Sequence, residues 1–141
     1  MTDPAIMPVP PGLPVEMTVL RAGRSVARSP DGIASGTFRV ETLLSGTKDG
    51  EPTALRATFD PGVRTHWHSH PRGQMLFALS GAGLAQRRGG DVVELRAGDT
   101  VWFPPNEAHW HGAAADSPFS YLSIQAIEHG TAVHWLGAVG A

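Results

Sequence analysis

From residue 37 onward the side chains change character at every second position, and Gly or Pro interrupts the alternation every few residues. A period of two sends successive side chains to opposite faces of an extended chain, so this pattern confines the fold to short strands with one buried face. In 37–44, Phe38, Val40, Thr42 and Leu44 alternate with Thr37, Arg39, Glu41 and Leu43. In 53–59, Leu55, Ala57 and Phe59 share a face, with Arg56 and Thr58 opposite. Residues 75–79 form a short apolar run followed by Ser-Gly-Ala-Gly, and 84–88 and 92–95 read as a hairpin around Gly89-Gly90. Residues 96–99 turn the chain, 100–103 run into Pro104-Pro105, and 108–111 and 119–127 complete the set. No window carries a helical period. Short strands at regular spacing between Gly/Pro turns predict an all-β sandwich or barrel.

The length, 141 residues, suits one such domain. Five prolines within 1–15 forbid a helix or a central strand there. That segment reads as an extended arm, disordered or draped on a neighbour, ahead of a single folded domain over 16–141. Residues 16–36 read as a short strand or two with loops. The formal net charge is -2 and the basic residues are scattered, which argues against nucleic acid as partner. No apolar run approaches the ~20 residues of a membrane span, and the N-terminal residues, lacking a basic segment followed by an apolar stretch, do not read as a secretory signal. The expectation is a cytoplasmic protein with a small-molecule substrate.

Cysteine is absent, so thiolate metal sites, disulfides and a cysteine nucleophile are excluded together. Any metal must be held by nitrogen and oxygen. Five of the seven histidines fall in two clusters, His66, His68, His70 and His109, His111. His68 and His70 share a strand face, about 7 Å apart along the chain, so both imidazoles can reach one ion. Gln74 follows the bend at Pro71-Arg72-Gly73, from which its amide oxygen can rejoin them. A barrel brings distant strands together, and His109 can then supply a third nitrogen, with His111 on the same face. Such a nitrogen/oxygen set leaves positions open, as catalytic sites do. Alternation also puts His66 with His68 and His70 at the barrel mouth. Gln125 falls on the inner face of the last long strand with Tyr121 and Ser123. Trp67 and Trp110 point the other way, toward another part of the chain or a second copy. No Ser/His/Asp set, phosphate loop or dinucleotide fingerprint is present.

The two clusters resemble the two motifs of the cupins. Gly62, His68, His70, Gln74 and Gly81 keep every spacing of the first motif (62–81). Gly98, Pro104 and His109 keep those of the second (98–113), with Asn106 where a Gly is usual and Ala113 where an Asn is usual. Sixteen residues, 82–97, separate the motifs, as in small single-domain cupins. Over roughly 20–137 the chain is similar to the subgroup that includes manganese-dependent (R)-selective hydroxynitrile lyases, carboxymuconolactone-decarboxylase-related cupins and metal cupins that cleave alkenes oxidatively.

The resemblance implies a jelly-roll β-barrel of two antiparallel sheets with little helix, and a homodimer or higher homo-oligomer. Its ligands would be His68, His70, Gln74 and His109, holding a divalent metal. His111 would be the general base, Thr65 and Gln125 the substrate-lining residues, and His66 an additional ligand or proton carrier. Manganese is the implied ion, with iron, zinc, nickel and copper as alternatives; the Irving–Williams order favours the later metals in vitro. A neutral amide at Gln74, where most catalytic cupins have Glu, leaves the ion its full double charge and favours Lewis-acid chemistry. The expected activity is therefore hydroxynitrile lyase-like. An oxygen-dependent oxidoreductase and a non-catalytic small-ligand or metal-binding module are the alternatives.

Overall fold

The computed structural model describes residues 11–140, so residues 1–10 of the expected arm lie outside the described part. The described residues form ten strands and no helix. They are β1 (Val26–Arg28), β2 (Arg39–Ser45), β3 (Pro52–Phe59), β4 (Trp67–Ser69), β5 (Gln74–Arg87), β6 (Val93–Arg96), β7 (Thr100–Phe103), β8 (His109–Ala113), β9 (Phe119–Ala126) and β10 (His134–Gly137). Every strand pairing is antiparallel. Among the described residues no helix is long and apolar enough to cross a membrane.

Strand β5 organises the molecule. Residues 75–79 and 84–88, which the sequence presents as two segments, fall in or at the end of one strand of 14 residues. Its first half lies between β9 and β7, and its second half between β6 and β8. The two faces of the barrel are therefore a continuous ladder that β5 bends through a corner, with β1-β2-β3-β9 on one side and β8-β4-β10 on the other. The bend sits at the irregularity between Ala78 and Ser80, followed by Gly81 at φ 77°. A side chain at Gly81 would run into the Pro118 carbonyl, and one at Gly83 would lie 2.6 Å from the Phe119 ring. Glycine inside a strand here marks a corner, not an end.

The alternation in β9 and in the second half of β3 survives in the packing, whereas in β2 the register slips between Thr42 and Leu44. Phe38 and Phe59 stack with centroids 4.2 Å apart, and Tyr121 and Phe119 close around them. Leu76, Ala78 and Phe103 extend the same core along β5 and β7. Burial of a side chain such as Phe59 contributes roughly 2–3 kcal/mol.

Strand β8 is buried on both faces. Inward it carries His109 and His111. Outward it is covered by residues 62–65, which run so close that a Cβ on Gly112 would lie 2.5 Å from the Val63 carbonyl oxygen. Trp110 is consequently buried, its Nε1 donating to Gln86 Oε1 at 2.8 Å and its ring under the Arg64 guanidinium at 5.0 Å. Trp67 is half-buried beneath Arg88 at 4.9 Å. Trp110 is thus covered from within the chain, and Trp67 in part. Strand β10 has no alternation in its sequence to announce it; it docks on β4 through His134↔Ser69 and Trp135↔His68.

Candidate metal centre and its cavity

The two histidine clusters meet because β4 pairs with β8, His68 standing directly opposite His109. Asn106 completes the junction. Its backbone is left-handed, φ 65°, a conformation that Asn tolerates better than other non-glycine residues. Its N–H donates to the His70 carbonyl at 2.9 Å. The Gly-to-Asn departure in the second motif is therefore a conservative answer to the same backbone demand.

His68, His70 and His109 share one device. Each turns Nδ1 onto a backbone carbonyl: His66 O at 2.9 Å, Ala132 O at 2.6 Å and Glu107 O at 2.9 Å respectively. A carbonyl only accepts, so each Nδ1 carries the hydrogen and each Nε2 of the neutral ring carries a lone pair. Burial keeps the rings neutral. It pushes His70 and His109 down to about 4, and His68 and His111 well below the ordinary histidine value. Neighbouring imidazoles push in the same direction.

Gln74 adds an oxygen. Its Nε2 donates away from the histidines, to Ser123 Oγ at 3.3 Å and Gln125 Oε1 at 3.2 Å. Its Oε1 lies 3.0 Å from His109 Nε2. With Nδ1 of His109 already holding the hydrogen, two acceptors face one another with no proton between them. The buried Nε2 of His70 likewise has no partner among the described residues. Lone pairs left facing inward in a buried site fit a cation, and three imidazoles with a carbonyl oxygen fit a divalent one.

His111 is different. Among the described residues neither of its ring nitrogens has a partner, and no carbonyl pins it. By distance alone the tightest group is His68, His109 and His111, whose donor atoms lie within 4.8 Å of one another. By hydrogen bonding, His70 is prepared as a ligand and His111 is not. A tautomer fixed by a carbonyl points the Nε2 lone pair of His70 inward, which supports His70 over His111 as the third imidazole donor. Thr65 clamps the His111 backbone in both directions: its N–H donates to His111 O at 2.9 Å, and its Oγ1 accepts from His111 N–H at 3.2 Å.

These groups open onto a cavity of about 400 Å³. Its wall is mostly apolar, with Val40, Leu44, Leu55 and Val133 among the lining residues. Trp135, which the sequence reading missed, borders the cavity with its ring 4.7 Å from His68. The tryptophan lies on strand β10, so no periodicity pointed to it.

The sequence-predicted residues are not all brought together. Thr65, His68, His70, Gln74, His111 and Gln125 line the cavity, and His109 stands behind them against Phe103, centroids 3.6 Å apart. His66 does not join them. Strand β4 begins only at Trp67, and the alternation breaks before it, so Thr65 rather than His66 turns inward. His66 borders a separate surface hollow beside Arg64 and Val139, and only its carbonyl serves the site. The expectation of His66 at the barrel mouth is corrected accordingly. Gln125 does share the inner face of Tyr121 and Ser123, but its amide is fully engaged within the protein. Nε2 donates to Thr53 Oγ1 and O, and Oε1 accepts from Ser123 and Gln74.

Residues 55–125 match the family model described as the cupin domain. The chain is 41% identical over 121 residues to the (R)-mandelonitrile lyase of Granulicella tundricola, covering 85% of this chain and 92% of that one. It is similar to a cupin-like protein of Thermotoga maritima, with 37% identity, a TM-score of 0.73, and 80% and 86% of the two chains covered. The polyketide cyclase RemF of Streptomyces resistomycificus superposes with a TM-score of 0.70 over 88% and 89% of the two chains; at 16% identity that likeness concerns the fold alone.

Proposed function

Because the chain belongs to the cupin family, we propose that it is a metal-dependent lyase that splits a small hydroxynitrile into an aldehyde and hydrogen cyanide. One observation carries the reading: the lone pairs of His109 Nε2 and Gln74 Oε1 face each other at 3.0 Å in a buried site, beside an unpartnered His70 Nε2. The name of the Granulicella relative supports the choice of reaction. His68, His70, Gln74 and His109 would hold a divalent ion, manganese by resemblance. When bound, the ion supplies Lewis-acid polarisation of a substrate oxygen.

The chain's own residues perform the rest. The apolar wall of the cavity excludes water and accepts the organic group of the substrate. His111, neutral and with both Nδ1 and Nε2 free, takes the hydroxyl proton at one of those nitrogens. The bond between the carbinol carbon and the nitrile carbon breaks, and its electron pair leaves with cyanide. The proton on His111 then passes to cyanide, so the products are one aldehyde and one HCN with no change of oxidation state. Thr65 fixes His111 through the backbone and lines the same cavity.

Manganese-loaded protein should release cyanide from mandelonitrile with preference for one enantiomer, and a chelator should abolish the release. His111→Ala should keep its metal and lose at least ~100-fold in kcat, the usual scale for general acid–base groups. No release after loading with manganese, iron and zinc in turn would overturn the proposal.

A further inference from the structure

Thr53, Gln125 and Gln74 stand in one cross-strand row. Thr53 is opposite Gln125 on β3 and β9, and Gln125 is opposite Gln74 on β9 and β5. All three border the cavity. The hydrogen bonds along this row have a direction that starts from unambiguous groups.

Thr53 Oγ1 donates to the backbone carbonyl of Gln125 at 3.0 Å, which uses its only hydrogen. Toward the Gln125 side chain, Thr53 therefore offers only acceptors, Oγ1 at 2.7 Å and its backbone oxygen at 3.3 Å. The Gln125 amide must present its NH2 to Thr53 and its oxygen to the other side. There Ser123 Oγ donates to Gln125 Oε1 at 2.6 Å. Gln74 must then also present its NH2 to that oxygen, which leaves Gln74 Oε1 facing His109.

The alternative orientation of Gln74 is the one isolated chemistry would prefer. Rotated by half a turn, the amide would donate to the lone pair of His109 Nε2 and quench it. Two acceptors would then meet at Gln125 instead, and the row opposes that.

We propose that Gln125 and Thr53 are positioning residues that hold the Gln74 amide with its oxygen toward the histidines, so that the cluster stays open to a cation instead of satisfying itself. The inference rests on the metal-centre reading above and adds to it. Gln125 then acts on the reaction through Gln74 and makes no hydrogen bond to substrate, since none of its four hydrogen-bonding positions is left free.

The test is titration of metal-free protein with manganese(II) alone, followed by calorimetry, for the parent chain and three variants. Gln125→Met removes both ends of the relay at similar volume and frees Ser123 to donate to a rotated Gln74. Its manganese affinity should fall by ~10- to 100-fold, the range for outer-shell partners of metal ligands, while the melting temperature of the metal-free protein is unchanged or raised. Gln125→Glu keeps the acceptor that Gln74 needs, and its affinity should stay at or above that of the parent. Thr53→Val should lose affinity by a smaller factor, about fivefold, because one of two acceptors remains. If Gln125→Met binds manganese like the parent and only KM for mandelonitrile rises, Gln125 is a substrate contact and the inference fails alone. If the parent itself binds no divalent metal, the metal-centre reading fails and takes the inference with it. Should Gln125→Met not fold, parent-like affinity in Thr53→Val would overturn the relay by itself.

Discussion

Replacing Gln74 by Glu changes one atom of a buried side chain and reverses its hydrogen bonding. The parent Nε2 donates to Ser123 Oγ and Gln125 Oε1. A carboxylate oxygen in that place would face Gln125 Oε1 as a second acceptor, and Ser123 has already given its hydrogen to Gln125. Two lost hydrogen bonds cost about 1 kcal/mol each, and an unsatisfied buried acceptor a further 1–3 kcal/mol. Protonation of the introduced carboxyl caps that loss. With an unperturbed value near 4.3, holding the proton at pH 7 costs roughly 3.7 kcal/mol. Metal-free Gln74→Glu should therefore lose about 3–4 kcal/mol at pH 7, or ~10–15 °C in melting temperature for a domain of this size.

The penalty has a definite pH sign. A buried carboxyl raised above its unfolded value loses stability as pH rises through the unfolded value. At pH 5 the deficit relative to the parent should accordingly shrink to about 1 kcal/mol. Manganese should erase the deficit at pH 7, because the charged oxygen then faces a dication. Thermal unfolding with chelator and with saturating manganese, at both pH values, measures all of this. A metal-free variant melting within ~2 °C of the parent at pH 7 would refute the hydrogen-bond row, and a deficit untouched by manganese would refute the placing of Oε1 toward the ion.

Metal-free parent protein should lose several kcal/mol as pH falls from 6.5 toward 4, since the unfolded chain protonates histidines that the fold keeps neutral, His70 and His109 down to about 4; acid unfolding followed by circular dichroism, with and without manganese, should show the loss move to lower pH when metal is bound. Trp110→Phe should cost ~1–2 kcal/mol through the lost bond to Gln86 and the lost Arg64 contact, with a melting temperature independent of protein concentration and manganese affinity unchanged. Asn106→Gly should be near neutral, whereas Asn106→Val, at φ 65°, should cost ~1–3 kcal/mol in denaturant unfolding.

The all-β class and the assignment of most residues to strands were legible because alternation is a local property. Phe38, Val40, Leu55, Ala57 and Phe59 alternate in the sequence and face inward in the barrel. The continuity of β5 was not legible. Glycines at 81 and 83 look like a turn in one dimension, and only the crowding by Pro118 and Phe119 shows them to be a corner. Strand β10 carries no period at all, and pairing with β4 alone makes it a strand.

For the site, the sequence by itself determined which donor atoms this chain can offer: imidazoles and the Gln74 amide at fixed spacing, and no thiolate. Spacing follows from backbone geometry, which is the same wherever the strand lies. Tertiary structure decided which of those atoms meet and in what state. His66 and His68 are two residues apart and look equivalent, yet a break before β4 sends one to a surface hollow and the other to the centre. The tautomers of His68, His70 and His109 depend on the carbonyls of His66, Ala132 and Glu107, the second of these 62 residues away from its imidazole. Which end of Gln74 faces the histidines depends on Thr53, two strands away. A hydrogen bond has a direction, and direction is inherited from whichever neighbour the fold supplies.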